Sequence, residues 1–209
     1  MGRRPLLTVV TPTWQRAELL AETVEHIRAQ TYRPLEHLVI SDGPDPAVRA
    51  LVAAERGYPD VAIRCVELAR NWSGLMPASF GIAPLTVGYL AARGEYIAPW
   101  CDDERALAPD HLERLVDLLE ATGADFAYPR VRIWRNGDPD GPETAVIGTD
   151  PPAYCQITHY VFRASCLWRF GLPAWGTHPV DWSLIDQWMR AGATWAMLDD
   201  VTFSHRLDR

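Results

Sequence analysis

Short apolar runs alternate with amphipathic stretches along the first half of this 209-residue chain, and this alternation constrains the fold more than any other feature. Apolar, β-branched runs of this length are typical of buried strands. They lie at residues 6–11, 37–41, 61–68 and 95–100. Between them, apolar residues at helical spacing predict helices at 17–28 and 48–55, and a further helix follows between Pro109 and Gly123. This order predicts an α/β fold with a mainly parallel, doubly wound sheet.

The second half is less regular but shows no sign of a separate domain. Strands are predicted at 125–134 and 195–204, and a helix at 181–190. A turn-rich loop around Asn136 and an aromatic, irregular segment at 154–175 lie between them. No linker is long enough to separate two domains, so we predict a single domain over residues 1–209, with a smaller, irregular C-terminal part.

Composition and charge exclude several classes of protein. Hydrophobic residues make up 48% of the chain and charged residues 22%, which suits a globular protein and not a disordered one. The net charge is −7, so a protein that coats nucleic acid is not expected. The apolar stretch before Pro12 is too short for a signal peptide or a membrane span. The four cysteines lack zinc spacing, and together these features predict a soluble, cytoplasmic protein.

Polar residues follow the ends of the predicted strands, where open parallel sheets bind ligands. They lie at 12–16, 41–43, 70–71, 101–104 and 205–206. Dinucleotide-binding, P-loop and α/β-hydrolase fingerprints are missing, and the chain contains no lysine for a Walker motif. Adjacent carboxylates at Asp102 and Asp103 suit Mg²⁺ or Mn²⁺, which commonly bind carboxylates together with substrate phosphates.

Four runs with a specific order and spacing carry a resemblance to a known family. They are V-V-T-P-T-W-Q-R at 9–16, Q-T-Y-R-P-L-E-H-L-V-I-S-D-G at 30–43, R-G-E-Y-I-A-P-W-C-D-D at 93–103 and P-D-H-L at 109–112. This pattern resembles glycosyltransferase family 2, whose members have the GT-A fold and use nucleotide-diphosphate sugars. The resemblance implies a nucleotide-sugar-binding half at 1–123 and an acceptor-side half at 124–209. Residues 75–84 look like an insertion relative to the family.

The resemblance also implies roles for individual residues. It assigns nucleotide-sugar binding to Pro12, Thr13, Trp14, Arg16, Asp42, Gly43 and Asp102. Asp103 is similar to the family's metal ligand for Mn²⁺ or Mg²⁺, and His205 resembles a histidine that completes the metal shell. Asp181 matches the carboxylate that acts as general base on the acceptor hydroxyl. A UDP-sugar is the favoured donor, with GDP- and TDP-sugars as the other candidates.

Simpler structural roles remain open for the same carboxylates. Asp102 and Asp103 can cap the helix that follows them, Asp42 can form an Asx turn before Gly43, and Asp181 can cap its own helix. On the acceptor side, three tryptophans and two further residues are candidates for contact with the acceptor: Trp134, Trp168, Trp175, His159 and Tyr160.

The leading hypothesis is a metal-dependent glycosyltransferase that adds one sugar to a small-molecule or glycan acceptor with inversion. We predict inversion because the general base and the leaving group are expected to occupy separate sites. The alternatives are a sugar-phosphate nucleotidyltransferase and a non-catalytic nucleotide-sugar-binding module.

Overall fold

A computed structural model describes residues 3–55, 60–76, 81–134, 145–152, 159–175 and 180–206. The predicted loop around Asn136 and Cys155 lie outside these ranges. Among the described residues, no helix has the length and apolar character needed to cross a bilayer.

The described ranges contain nine strands joined in one sheet. Their bounds are β1 Leu7–Thr13, β2 Leu35–Ser41, β3 Val61–Glu67, β4 Tyr96–Pro99, β5 Arg105–Ala106, β6 Phe126–Trp134, β7 Ala145–Ile147, β8 Val161–Arg163 and β9 Trp195–Arg206. The strand order is β3-β2-β1-β4-β8-β6-β9-β5, with β7 on β6. Strands from both halves of the sequence therefore hydrogen-bond into the same sheet.

The helices pack against this sheet, and most follow the sequence prediction closely. Their bounds are α1 Ala17–Arg28, α2 Pro46–Glu55, α3 Trp72–Leu75, α4 Ile82–Ala91, α5 His111–Thr122, α6 Cys166–Arg169 and α7 Val180–Arg190. Helix α5 ends at Gly123, whose left-handed φ of 71° supports the predicted stop signal. The apolar faces of α1 and α5 are buried, as their spacing predicts.

The parallel part of the sheet places the ends of its strands at one edge. In the register, Thr13 of β1 lies opposite Ser41 of β2, and Val10 lies opposite Pro99 of β4. The loops that follow β1, β2 and β4 therefore leave the sheet side by side. The prediction of a mainly parallel sheet is confirmed for β3-β2-β1-β4, whereas β8, β7 and β5 add antiparallel pairs.

Helix α4 is the main element that the sequence patterns did not predict. Its residues are apolar on nearly every side, so no amphipathic periodicity marks it. Part of the segment 75–84 is therefore buried helix, with Ile82 and Pro84 inside the molecule. Gly88 explains how α4 lies so close to the sheet, because a Cβ there would overlap the Val10 side chain of β1.

We expect Gly88→Val to destabilise the protein strongly. The added side chain would push α4 away from β1, and overpacking of this kind costs about 2–3 kcal/mol. The free energy of unfolding, measured by urea denaturation, should fall by that amount, whereas Leu90→Met on the half-exposed side of α4 should change it by less than about 0.5 kcal/mol. Equal stability of the two variants would contradict the close packing.

Two buried histidines lie in an aromatic cluster beneath the loop that follows β4. The ring of His159 stacks on Phe203 at 4.0 Å and meets Trp100 edge-on at 5.3 Å. His111 lies 4.7 Å from His159, and its Nδ1 is 2.8 Å from Thr202 Oγ1. Burial lowers the pKa of His159 to about 3 and holds that of His111 well below 6.5. Both rings are therefore neutral in the folded protein near neutral pH.

The two buried histidines are expected to lower the free energy of unfolding when the pH falls. An unfolded histidine takes up a proton below about pH 6.5, whereas folded His159 stays neutral down to about pH 3. Stability is therefore lost as the pH falls through this window, by about 2 kcal/mol for His159 between pH 7 and 5. His159→Phe should remove that part of the loss in urea denaturation, whereas His26→Gln, at a half-buried site, should remove less. An unchanged pH dependence in His159→Phe would contradict the account.

Candidate functional site

The loop after β1 is held in a fixed shape at the carboxyl edge of the sheet. Gln15 adopts a left-handed φ of 55°, which is uncommon for a residue other than glycine, and strained residues of this kind cluster at active sites and ligand clamps. Its backbone N–H donates to Asp45 Oδ2 at 2.9 Å. The Trp14 ring packs against Gly43, where a side chain would overlap it and where φ is 135°. The first loop and the loop after β2 therefore fit against each other.

The loop after β4 carries two nearly buried carboxylates into the same region. Thr13 Oγ1 donates a hydrogen bond of 2.7 Å to Asp102 Oδ2, and Thr23 Oγ1 donates one of 3.0 Å to the Asp102 carbonyl. The Arg16 Nη1 atom lies 3.1 Å from Asp102 Oδ1 and 3.1 Å from Asp103 Oδ2. Burial raises the pKa of Asp102, and the contacts of Thr13 and Arg16 oppose that shift.

Glu104 and His205 form a pair directly beside these carboxylates. Strand β5 pairs with β9, with Arg105 opposite Ser204, and this register brings Glu104 to His205. The distance between His205 Nδ1 and Glu104 Oε1 is 2.6 Å. Glu104 Oε2 also accepts the Cys101 N–H at 3.1 Å. Burial raises the pKa of Glu104, whereas the neighbouring His205 acts to lower it.

Asp42 lies at the same edge, and its side chain binds a different loop. Its two carboxylate oxygens accept the backbone N–H groups of Trp72 and Ser73, each at 2.9 Å. These bonds join the loop after β2 to the start of the short helix α3. The Arg70 guanidinium lies over the Trp72 ring at 5.6 Å from its centroid, on the outer side of this junction.

Asp181 lies in the first turn of α7, where its Oδ1 accepts the Trp182 N–H at 2.9 Å. The helix is anchored by Leu184, Ile185 and Trp188, which belong to the same buried cluster as Tyr89 and Tyr160. The pKa values of these two tyrosines are raised mainly by burial and also by the nearby Asp181 carboxylate and Cys101 thiol. The packing of α7 thus holds its first turn, and Asp181 with it, against this buried cluster.

The structure brings most of the predicted site residues together. Thr13, Arg16, Asp102 and Asp103 are in direct contact, Trp14 contacts Gly43 beside Asp42, and Pro12 lies in β1 opposite Ile40. His205 contacts Glu104 through its Nδ1 atom. Its role as a metal ligand stays a prediction, as do the roles of the other residues.

Three of the residues predicted to contact the acceptor are buried, so the prediction is wrong for these three. Trp134 is 2% exposed and lies beneath the guanidinium groups of Arg105 and Arg206. His159 and Tyr160 are completely buried in the core. Trp168 and Trp175 are exposed, at 76% and 55%.

Sequence reasoning gave no role to Glu104, Gln15 or Trp72. Glu104 directly follows the two aspartates, and the pattern C-D-D-E could have indicated a third carboxylate in the loop. Nothing in the sequence indicates the left-handed φ of Gln15, because glutamine has no preference for it.

The residues of the carboxylate loop fit a divalent metal in their chemistry. Asp102 and Asp103 offer adjacent oxygen donors, and Mn²⁺ and Mg²⁺ bind such donors together with substrate phosphates. In the part of the chain that the structure describes, no group of three or more His, Cys, Asp or Glu side chains is arranged to hold a metal by itself.

Comparison with protein families places the chain in one of them. The sequence model of the family described as Glycosyl transferase family 2 matches residues 8–153. The chain therefore belongs to glycosyl transferase family 2.

Curated relatives and solved structures agree with this membership. The uncharacterized glycosyltransferase YwdF of Bacillus subtilis is 28% identical over 127 residues, which are 61% of this chain and 42% of that protein. The succinoglycan biosynthesis protein ExoO of Rhizobium meliloti is 32% identical over 129 residues, 62% of this chain and 34% of that protein. The chain thus spans less than half the length of these two relatives.

The fold matches known GT-A glycosyltransferases. The mannosyltransferase PcManGT of Pyrobaculum calidifontis, solved with GDP-Man and Mn²⁺, has a TM-score of 0.74 at 20% identity over 97% of this chain and 57% of that one. Staphylococcus aureus TarS 1–349, solved with UDP-GlcNAc, has a TM-score of 0.74 at 14% identity over 97% and 59% of the two chains. At these identities the match shows the fold.

Proposed function

We propose that this protein transfers one sugar from a nucleotide-diphosphate sugar to an acceptor hydroxyl, with a divalent metal and with inversion of the anomeric centre. The observation that carries the proposal is the Asp102–Asp103 pair, held by Thr13 and Arg16 at the carboxyl edge of the parallel sheet. Asp102 and Asp103 do not cap the helix that follows them, because α5 begins at His111 and its N-cap residue is Asp110.

The nucleoside is proposed to lie against the loops after β1 and β2. Trp14 and Gly43 form a fitted surface there, and Pro12 and Thr13 lead the chain into it. Asp42 already accepts two backbone N–H groups, but a carboxylate offers about four lone-pair sites, so it can also accept a base N–H. Neighbours of the same fold were solved with GDP-Man, UDP and UDP-GlcNAc, which supports a UDP- or GDP-sugar as donor.

The leaving diphosphate is proposed to lie at the carboxylate loop. Asp103 would hold a divalent metal, with Asp102 turned to the ribose or sugar, and the metal would supply Lewis-acid neutralisation of the charge on the diphosphate. The Mn²⁺ in the mannosyltransferase structure supports a metal of this kind. The Glu104–His205 bond resembles the carboxylate contacts that orient ligating histidines, and this supports His205 as a further ligand.

Asp181 is proposed to remove the proton from the acceptor hydroxyl. The buried side chains of Leu184, Ile185 and Trp188 hold helix α7, and Asp181 with it, in a fixed position. A base on one side of the sugar and a leaving group on the other give a single displacement with inversion. The exposed Trp168 and Trp175 remain candidates for stacking on the acceptor.

A donor assay tests this function directly. The protein is incubated with UDP-, GDP- and TDP-sugars in Mn²⁺, Mg²⁺ or EDTA, and release of the nucleoside diphosphate is measured with and without a panel of glycan acceptors. We expect release from one donor, dependent on metal and increased by an acceptor, and an NMR coupling constant that shows inversion in the product. Formation of a sugar nucleotide from sugar phosphate and nucleoside triphosphate would instead favour a nucleotidyltransferase.

A further inference from the structure

A single nitrogen atom of Arg16 bridges both carboxylates of the loop after β4. Arg16 Nη1 lies 3.1 Å from an oxygen of Asp102 and 3.1 Å from an oxygen of Asp103. The two carboxylate side chains are 6% and 2% exposed, whereas the arginine side chain is 35% exposed. The guanidinium therefore approaches the buried pair from the solvent side, the side from which a dissolved cation would also arrive.

Electrostatics explain why a cation lies at this position. Two neighbouring carboxylates with little access to water repel each other, and the effect is strongest when both are ionised. The left-handed backbone of Gln15, fixed by Asp45, directs the next residue, Arg16, toward the pair. The loop after β1 thus supplies a positive charge to the carboxylates of the loop after β4.

We propose that Arg16 is an internal counter-ion that competes with the divalent metal for Asp102 and Asp103, an inference that rests on the metal-binding role in the proposed function. A metal at Asp103 would place a second cation beside the guanidinium, and the repulsion between the two charges favours release of Arg16 from that carboxylate. The protein without nucleotide therefore binds metal weakly. The displaced guanidinium is suited to pair with a diphosphate, since its planar donors match phosphate oxygens.

This competition makes metal and nucleotide bind cooperatively. When a nucleoside diphosphate is present, the displaced Arg16 has a new anionic partner, so the loss of its contact with Asp103 is offset. By thermodynamic linkage, each ligand then increases the affinity for the other by the same factor. Removal of the arginine should strengthen the binding of metal alone and reduce this coupling.

Arg105 provides a matched control for the loss of charge. It lies two residues after Asp103, its side chain is 36% exposed, and its partner is Glu22 at 2.7 Å. Arg105→Gln changes the net charge by the same amount as Arg16→Gln, close to the same loop, but it breaks no contact with either aspartate.

The test is the binding of Mn²⁺ alone, measured by electron paramagnetic resonance without nucleotide. We expect Arg16→Gln to bind Mn²⁺ on the order of tenfold more tightly than the native protein. Arg105→Gln should differ from the native protein by no more than about threefold, as expected for a change of one nearby solvent-exposed charge. With UDP added, the increase in Mn²⁺ affinity should be smaller in Arg16→Gln than in the native protein.

Several results would overturn the competition. They are equal Mn²⁺ affinities in Arg16→Gln and Arg105→Gln, weaker affinity in Arg16→Gln, or no binding of Mn²⁺ by any of the three proteins. If Arg16→Gln does not fold, as judged by circular dichroism, Arg16→Met replaces it. Methionine has no positive charge and no donor, so this variant should also bind Mn²⁺ more tightly than the native protein, and an unchanged affinity contradicts the proposal.

The Mn²⁺ measurement separates this inference from the proposed function. A protein that shows the shift in Mn²⁺ affinity but transfers no sugar supports the competition and contradicts the transferase. A protein that transfers sugar but shows no shift in Mn²⁺ affinity supports the transferase and contradicts the competition.

Discussion

Asp181→Asn is expected to reduce sugar transfer by about 10²–10⁴-fold while leaving donor binding within a few-fold of the native value. The amide cannot accept the proton of the acceptor hydroxyl, so the chemical step loses its base. Fold and donor site should persist, because asparagine is as good as aspartate near a helix start and the apolar anchors of α7 are unchanged. Initial rates and donor dissociation constants, measured on the same preparation, check both parts.

Asp186→Asn is the matched control for this prediction. Asp186 lies on the same helix and forms an exposed ion pair with Arg190 at 2.9 Å. The same chemical change there should leave the transfer rate near the native value. Native-like transfer by Asp181→Asn, or equal losses in the two variants, would exclude Asp181 as the base.

Asp103→Asn is expected to abolish the effect of metal on donor binding and to reduce transfer by at least about 10²-fold. The neutral amide is a poorer ligand for a hard cation, and the charge that develops on the leaving diphosphate then lacks its Lewis acid. Nucleotide binding in EDTA should change little, because the proposed contacts of the nucleoside lie on the loops after β1 and β2. Isothermal titration of UDP with and without Mn²⁺ measures this difference.

Asp110→Asn serves as the control for Asp103→Asn. Asp110 directly precedes α5, and its side chain makes no capping hydrogen bond. This variant should retain both the metal effect and the transfer rate. A metal effect of native size in Asp103→Asn would show that the metal binds elsewhere or is not needed.

The parts of the fold that repeat a simple pattern could be predicted from the sequence. Strands β1, β2 and β3 are short apolar runs, and helices α1 and α5 have apolar residues at helical spacing, so their bounds differ from the predictions by only a few residues. Helix α4 could not be predicted in this way, because its burial on nearly every side removes the polar face that marks an amphipathic helix. The short strands β5 and β8 depend on pairing with distant strands, which local patterns do not encode.

The candidate site, like the fold, could be predicted from the sequence only in part. The position of polar residues after each strand correctly indicated which loops meet, since parallel strands end at one edge. The contacts of those residues were not predictable: the bridge from Arg16 depends on the backbone of Gln15, and the amide partners of Asp42 come from the unpredicted α3. The burial of Trp134, His159 and Tyr160 likewise follows from tertiary packing and not from residue type.

The measurement that tests the central claim most directly is a thermal-unfolding panel of UDP, GDP, TDP and CMP, each with Mn²⁺, Mg²⁺ or EDTA. A nucleotide at 100 times its dissociation constant stabilises the folded protein by about 2.7 kcal/mol, which raises Tm by about 5–10 °C for a chain of this length. The account predicts such a rise for one nucleoside diphosphate, larger with metal than with EDTA. No rise with any nucleotide would contradict it and would leave Asp102 and Asp103 as structural residues of their loop.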